Sequence, residues 1–150
     1  MATNVNVQLE SFFPGLASSP YKVTSPSDPT YNCIAWAAGD SKRWWWPDPM
    51  GAYHWPPSVP REESLSAYQR AFESLGYAEC NTEVYEEGFI KVALFAKTNV
   101  PKHASRQLSY SLWTSKLGQN VDISHELHSL SGDSYGQVAK ILRRPKRDKD

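Results

Sequence analysis

Cys33 and His103 are the two residues whose types and positions suit nucleophilic chemistry. Residues 33–38 predict a short helix, and Asn32 before them is a good N-cap residue, which puts Cys33 at the first helical position. There the exposed N–H groups and the helix dipole stabilise a thiolate. His103 follows the loop 97–102 and begins a predicted strand, a place where an imidazole is held rigidly beside a loop. The pair therefore predicts a thiol nucleophile and the base that takes its proton.

Two alternatives stay open on the residues alone. Asp28, followed by Pro29, is a rival N-cap that begins the helix one turn earlier and leaves Cys33 inside it, with weaker activation. Cys33 also suits the role of a small buried apolar side chain. A lone histidine such as His103 is, likewise, more often a surface or core residue than a base.

A histidine base needs a third group that orients its other ring nitrogen. In the hairpin predicted over residues 103–117, side chains of the same parity share a face of the sheet. If the hairpin pairs symmetrically about Tyr110, Ser115 lies opposite Ser105 and diagonal to His103. Asp122, five residues after the second strand, is the carboxylate alternative.

The elements that must position these residues differ between the two halves of the chain. Nine of the eleven prolines and five of the six tryptophans lie between Pro14 and Pro60, so this half is expected to be mostly loop. Residues 44–57 are expected to form an aromatic wrap over one face of the core. Most of these rings are expected to form the core of this loop-rich half. Three consecutive tryptophans cannot all point inward from one loop, however, and we therefore expect Trp44 or Trp46, together with Trp36, to line a substrate-binding cleft.

The second half predicts regular structure and an α+β fold. An amphipathic helix begins near Pro60 and ends at Gly76, and a short helix is expected from Asp122 to Leu130. Strands are predicted at residues 77–80, 89–96, 103–108, 112–117 and 135–142, with a turn at residues 109–111. We expect a single domain over residues 1–142, in which a short cysteine-bearing helix and one longer helix pack on an antiparallel sheet. Residues 143–150 are expected to be a disordered charged tail.

Composition excludes several classes of function. The chain has 16 basic and 16 acidic side chains, and this balance argues against nucleic-acid binding, which requires a basic surface. No apolar run is long enough to span a membrane, and the N-terminus does not resemble a signal peptide. Two cysteines suit a reducing compartment, so we expect the cytoplasm, or export by a route that reads no N-terminal signal. We expect no cofactor, and the oligomeric state is left open.

A metal site is also disfavoured. Asp122, His125 and His128 are spaced three apart, which would spread them around a helix rather than place them on one face. No Cys-x-x-Cys or His-Glu-x-x-His pattern supports zinc. Cys80 lies in a predicted edge strand without a nearby histidine, and its role is expected to be structural.

Four motifs carry a resemblance to a known kind of protein. They are Tyr31-Asn32-Cys33-Ile34-Ala35-Trp36-Ala37, Trp44-Trp45-Trp46-Pro47, Lys91-Val92-Ala93-Leu94-Phe95-Ala96 with His103-Ala104-Ser105-Arg106-Gln107-Leu108, and Trp113-Thr114-Ser115-Lys116-Leu117-Gly118. Over residues 30–142 the chain resembles an uncharacterised family of small bacterial domains that is similar to the papain-like NlpC-type and CHAP-type amidases. The resemblance implies Cys33 as nucleophile and His103 as base. It places the third residue near Ser115, where those amidases usually have histidine, asparagine or a carboxylate.

Two functions from different classes follow. The first is a cysteine-dependent hydrolase or acyl transferase, in which Cys33 attacks an amide or ester carbonyl of a peptide or protein substrate and the backbone N–H of Cys33 helps to hold the oxyanion. The second is a non-catalytic peptide- or protein-binding module that uses the Trp-rich loop, with Cys33 merely packed.

Overall fold

A computed structural model describes residues 4–148 and 150. The helices are α1 (Asn4–Phe12), α2 (Cys33–Ala37) and α3 (Leu65–Glu73), and two 3-10 helices span Pro14–Ser18 and Leu127–Leu130. The strands are β1 (Tyr21–Ser25), β2 (Ala78–Cys80), β3 (Phe89–Lys97), β4 (Val100–Ser109), β5 (Leu112–Lys116), β6 (Asp122–His125) and β7 (Gln137–Pro145). In this part of the chain, no helix has the length and apolar character that crossing a bilayer requires.

All seven strands form one antiparallel sheet in the order β1-β6-β5-β4-β3-β7-β2. Strands β3 to β6 follow one another as a meander, whereas β7 returns to the far side of β3. Both edges are poor templates for pairing with another chain, because β1 is flanked by Pro20 and Pro26 and β2 has only three residues. The α+β class predicted from the sequence is confirmed.

The first face of the sheet is covered by α2, α3 and the Trp-rich segment. Successive side chains of a strand point to opposite sides, so alternate positions of β3 and β4 reach this face. Its buried core includes Val92, Leu94, Ala104 and Leu142 from the sheet, and Cys33, Trp45, Trp55, Tyr68 and Phe72 from the covering segments.

The second face is covered by α1 and the two 3-10 helices. Its core takes the intervening positions of the same strands, which is why Ala93 and Phe95 lie here while Val92 and Leu94 lie on the first face. The other buried members include Leu9, Leu16, Trp113, Ile123 and Leu130. The sheet therefore separates two hydrophobic cores.

The long helix is present but shorter than its apolar pattern predicted. It begins at Leu65 because Ser64 is its N-cap, with the Ser64 hydroxyl accepting a hydrogen bond from the Ala67 N–H at 3.1 Å. It ends at Glu73, shortly before Gly76, whose φ of +98° suits only glycine well. The predicted turn at residues 109–111 separates β4 from β5 as expected.

Several expectations for the remaining elements were wrong. Asp122 begins strand β6 rather than a helix, since residues 122–125 pair with both β1 and β5, and only Leu127–Leu130 of the expected helix is helical, as a 3-10 helix. The half up to Pro60 is mostly loop, as predicted, although it also contains helix α1 and strand β1, which were not predicted. Strand β7 continues to Pro145, and the Asp150 carboxylate pairs with Arg144 at 2.7 Å, so ordered structure extends beyond residue 142. Residues 1–3 of the expected domain and residue 149 of the expected tail lie outside the described residues.

Gly136, just before β7, lies close to the backbone of Ala96 in β3, and a substitution there tests this contact. Its φ is +74°, and a Cβ added there would lie 2.1 Å from the Ala96 carbonyl oxygen. We expect Gly136→Ala to lower the free energy of unfolding by about 3 kcal/mol, because the chain must relieve both a clash and a left-handed backbone. Urea denaturation followed by circular dichroism measures the change.

Gly88→Ala is the matched control, because Gly88 has a φ of +86° but nothing within 4 Å of an added Cβ. It should cost only about 1–2 kcal/mol, the price of the left-handed conformation alone. Equal losses in the two variants would mean that the close approach to Ala96 contributes nothing.

Candidate functional site

Helix α2 places Cys33 at the position predicted from its N-cap. The Asn32 Oδ1 accepts a hydrogen bond from the Ala35 N–H at 3.2 Å, and its Nδ2 donates to the Trp45 carbonyl at 2.7 Å. Asp28, the rival cap, instead accepts from the Thr30 N–H at 2.8 Å within its own turn. Cys33 is therefore the first residue of α2.

The Cys33 thiol is buried beneath this helix, with the residue only 9% exposed. Burial raises the pKa of Cys33 to about 11, although the N–H groups of Ala104, Ile34 and Cys33 itself and the charge of Lys116 act in the opposite direction. The loss of solvation thus outweighs the stabilisation that a helix N-terminus gives to a thiolate. At neutral pH the sulfur is protonated.

His103 lies on the other face of the sheet. Cys33 shares the first core with Ala104, the neighbour of His103 in β4. The His103 ring instead packs against Phe95, its partner across β3, at 5.3 Å between ring centroids, and stacks on Tyr135 at 4.0 Å. Because adjacent side chains of a strand point to opposite sides, β4 itself stands between the thiol and the imidazole. The structure does not bring the predicted pair together.

His103 meets Ser115, as its position in the hairpin predicted. Its Nε2 lies 2.9 Å from the Ser115 Oγ, which is also 2.7 Å from the Ser105 Oγ and 2.7 Å from the His125 Nε2. These four side chains, the Ser115 network, are 0% exposed. His125 was missed as a member because the sequence placed it in a helix.

The hydrogen-bond partners of the Ser115 network indicate which atoms donate, and the His103 Nδ1 has no partner among the described residues. The Glu126 carbonyl can only accept, so the His125 Nδ1, 2.7 Å away, carries a hydrogen. Burial lowers the pKa of His125 to about 4, so at neutral pH its Nε2 accepts from the Ser115 hydroxyl. Since that uses the only hydrogen of Ser115, the His103 Nε2–H and the Ser105 hydroxyl both donate to the Ser115 Oγ.

The Ser115 network has the groups of a serine nucleophile but not its accessibility. A hydroxyl that donates to an imidazole whose other nitrogen is fixed matches the arrangement of nucleophile and base. With no exposed surface on Ser115, His103 or His125, a substrate carbonyl cannot reach the Oγ. Burial, and secondarily the nearby His125, hold the pKa of His103 well below its ordinary value. The network therefore joins strands β4, β5 and β6 as a neutral polar cluster within the second core.

Asp122, the carboxylate alternative, faces away from His103. One oxygen accepts from the Tyr31 hydroxyl at 2.8 Å and the other from the Thr24 hydroxyl at 2.5 Å, both near the first face. Lys116, its partner across the strand pair, places its Nζ 4.7 Å from the centre of the Tyr31 ring. Asp122 thus fastens β1 and the approach to α2 onto the sheet and does not orient the imidazole.

The tryptophans expected to bind substrate are divided between the core and its rim. The Trp36 Nε1 donates to the Thr114 Oγ1 at 2.9 Å, and the Trp46 ring packs edge-on against Tyr68 at 6.2 Å. Both rings are half-buried against the first core. Trp44 is also half-buried, and its ring centroid lies 6.4 Å from that of the exposed Tyr53 ring. Their role in substrate binding stays a prediction.

A groove that the sequence did not predict opens beside the β4–β5 hairpin, and its volume is about 530 Å³. We call it the hairpin groove. Its lining comes from four separate segments, which only the folding of the 3-10 helices and the β2–β3 connection against the sheet brings together. The lining residues are Gly15, Ser18, Ser19, Glu83, Val84, Tyr85, Gln107, Tyr110, Ser111, Trp113, Glu126, Leu127, His128 and Ser129.

The hairpin groove combines an aromatic lining with a polar rim. Trp113, only 2% exposed, belongs to the second core, and the rings of Tyr85 and Tyr110 pack at 4.6 Å between centroids. At the rim, the His128 Nε2 lies 2.9 Å from a carboxylate oxygen of Glu83. An apolar concavity with a few polar groups is the usual form of a ligand site.

The described residues contain no group of three or more histidine, cysteine, aspartate or glutamate side chains that could hold a metal ion. Of the three residues weighed as ligands, His125 is enclosed in the Ser115 network, whereas His128 is exposed and contacts Glu83. Asp122 faces Tyr31 near the other face of the sheet.

Comparison with known families identifies most of the chain. A family described as a domain of unknown function, DUF7689, matches residues 22–143, and the chain belongs to this family. No curated protein and no solved structure matches the chain. Membership of an uncharacterised domain family is therefore confirmed, while the relationship to papain-like hydrolases stays a prediction.

Acid should destabilise the protein through the buried imidazoles. The pKa of His125 is lowered from 6.5 to about 4, so the unfolded chain binds the proton first as the pH falls. The contribution of neutral His125 to the free energy of unfolding is complete above pH 6.5 and is lost progressively between pH 6.5 and about 4. The shift corresponds to about 3 kcal/mol, and His103 acts in the same direction. Urea denaturation at several pH values in this range measures the loss.

His125→Asn should reduce this pH dependence even though it lowers stability at neutral pH. His128→Asn removes an exposed histidine and should leave the pH dependence of the wild-type protein unchanged. A pH dependence that survives His125→Asn in full would assign the acid sensitivity to other groups.

Alkylation tests the state of Cys33. With its pKa raised to about 11, the folded protein at neutral pH has less than about one thiolate in a thousand at this site, so iodoacetamide should modify half-buried Cys80 first. Cys33 should react only after unfolding in urea. Peptide mass spectrometry gives both rates. Fast modification of Cys33 that His103→Ala slows would instead support the predicted nucleophile and base.

Proposed function

We propose that this protein is a non-catalytic peptide-binding module and that the hairpin groove is its binding site. The observation that carries the proposal is an aromatic concavity of about 530 Å³ next to exposed apolar side chains. Tyr110 is 71% exposed and Val84 is 62% exposed, and both line the groove. Solvent-exposed apolar surface beside a concavity is typical of a site that a partner covers.

The exposed apolar lining comes from two separate segments, since Val84 lies in the β2–β3 connection and Tyr110 in the hairpin turn. A concavity lined by four segments of the chain accommodates a peptide segment, which is the occupant we propose. Leu108 and Leu112, although 48% and 37% exposed, do not line the groove, because adjacent strand residues such as Gln107 and Leu108 point to opposite sides.

The burial of both nucleophile candidates favours binding over catalysis. The Cys33 thiol faces the first core with a raised pKa, and Ser115 has no exposed surface. A cysteine hydrolase would need the α2 helix and strand β4 to rearrange before Cys33 and His103 met. The cysteine-hydrolase hypothesis therefore stays a prediction without a formed site to support it.

The sequence predicted that a binding module would use the Trp-rich loop, whereas we propose that the ligand binds in the hairpin groove. The rings of Trp45 and Trp55 are 4% and 3% exposed, so most of that loop serves the first core. Trp113, distant in sequence from the other tryptophans, is the one that lines the groove.

Selection from a random heptapeptide library on the full chain tests the proposal. Enriched peptides should shift the Trp113 indole N–H signal in ¹⁵N-labelled protein, because this ring lines the groove. Tyr110→Ser should weaken their binding about tenfold by removing an exposed aromatic contact. Fluorescence anisotropy of the labelled peptides measures the affinity.

Met50→Ser is the matched control, since Met50 is 90% exposed but lies in the Trp-rich half, outside the groove. It should leave the affinity unchanged. Failure to enrich any peptide, or loss of binding with Met50→Ser but not Tyr110→Ser, would reject the hairpin groove as the site.

A further inference from the structure

We infer that the hairpin groove recognises an arginine side chain of its peptide ligand. The inference rests on the proposed function, and it specifies the chemistry of the ligand. Three observations carry it: an unused hydrogen-bond acceptor on Gln107, an excess of carboxylates at the rim, and exposed tyrosine rings.

Gln107 supplies a buried acceptor in the groove wall. The residue is 6% exposed, and its Nε2 donates to the Glu83 carbonyl at 2.8 Å. Because a carbonyl can only accept, this bond fixes the orientation of the amide and makes the other terminal atom the Oε1. The Oε1 has no partner among the described residues. A buried amide oxygen without a donor is costly, so a ligand N–H that reached it would gain binding free energy.

The charged groups that line the groove favour a cation. They are Glu83, Glu126 and His128, and no lysine or arginine lines it. His128 is hydrogen bonded to both oxygens of Glu83, at 3.1 and 2.9 Å. Glu126 is exposed and makes no side-chain hydrogen bond or ion pair with the described residues, so its carboxylate is available to a ligand.

The aromatic rings suit a flat cation. Lys146 already places its Nζ 5.7 Å from the centre of the Tyr85 ring, and Tyr110 packs on the same ring while exposing most of its own surface. A guanidinium group stacks on such rings because its positive charge is attracted by the negative face of the π-system. A guanidinium also carries five donors in a planar fork, which allows simultaneous bonds to an amide oxygen and a carboxylate; the ammonium of lysine lacks this geometry.

A pair of nearly isosteric probes tests the inference on the full chain. N-acetyl-arginine methylamide should shift the Trp113 indole signal and the Gln107 side-chain amide signals, whereas the citrulline analogue, which is neutral, should bind about tenfold more weakly. In peptides selected on the protein, replacing arginine by citrulline should weaken binding by a similar factor, and replacing it by lysine should also weaken binding.

Two glutamate variants give the control within the protein. Glu126→Gln keeps the shape of an exposed side chain and removes its charge, so it should weaken binding of the arginine probe about tenfold. Glu62→Gln removes an exposed charge outside the groove and should have no effect. Since both side chains are exposed, neither variant threatens the fold.

The outcomes separate this inference from the proposed function. Peptides that bind in the groove with equal affinity for arginine and citrulline would overturn the arginine inference and leave peptide binding intact. Absence of any peptide binding would overturn both. Equal effects of Glu126→Gln and Glu62→Gln would indicate general charge attraction and would also overturn the assignment to the groove.

Discussion

The alternation of side chains along strand β4 organises the chemistry of this protein. Ala104 turns toward helix α2 and Cys33, while His103, Ser105 and Gln107 turn toward the second core and the hairpin groove. A shift of one residue in this strand would exchange the two sets. Such a shift would take His103 and Ser105 out of reach of Ser115 and leave buried polar groups unpaired, so the position of β4 is strongly specified, and with it the separation of the thiol from the imidazole.

Desolvation then sets the protonation states of the separated thiol and imidazole groups. On the first face, burial outweighs three N–H groups and keeps the Cys33 thiol protonated. On the second face, burial favours the neutral imidazoles of His103 and His125, so that one hydroxyl, that of Ser115, bonds to the Nε2 of both rings, while the His103 Nδ1 has no partner among the described residues. Groups that suggest catalysis by type thereby connect strands β4, β5 and β6 through hydrogen bonds at the Ser115 hydroxyl.

The hairpin groove differs from the Ser115 network because several of its polar and aromatic groups are exposed or have no partner. Its Trp113 ring is anchored in the second core, but the Tyr110 ring and the Glu126 carboxylate project into solvent, and the Gln107 oxygen has no partner in the described chain. Rigid strands thus present polar and aromatic groups that the fold itself does not satisfy. Of the buried polar atoms without a partner in the described chain, the Gln107 oxygen belongs to a residue that lines the groove, and this is why we place the proposed ligand there.

The sequence by itself determined the α+β class, the Asn32 cap that makes Cys33 the first residue of α2, the β4–β5 turn and the meeting of His103 with Ser115. Each of these depends on neighbours along the chain or on the two-residue period of one hairpin. Tertiary structure alone decided that α2 covers the face opposite His103, that residues 122–125 pair as a strand, and that four distant segments enclose the groove. Those outcomes depend on which face each covering segment buries, and no local pattern encodes that choice.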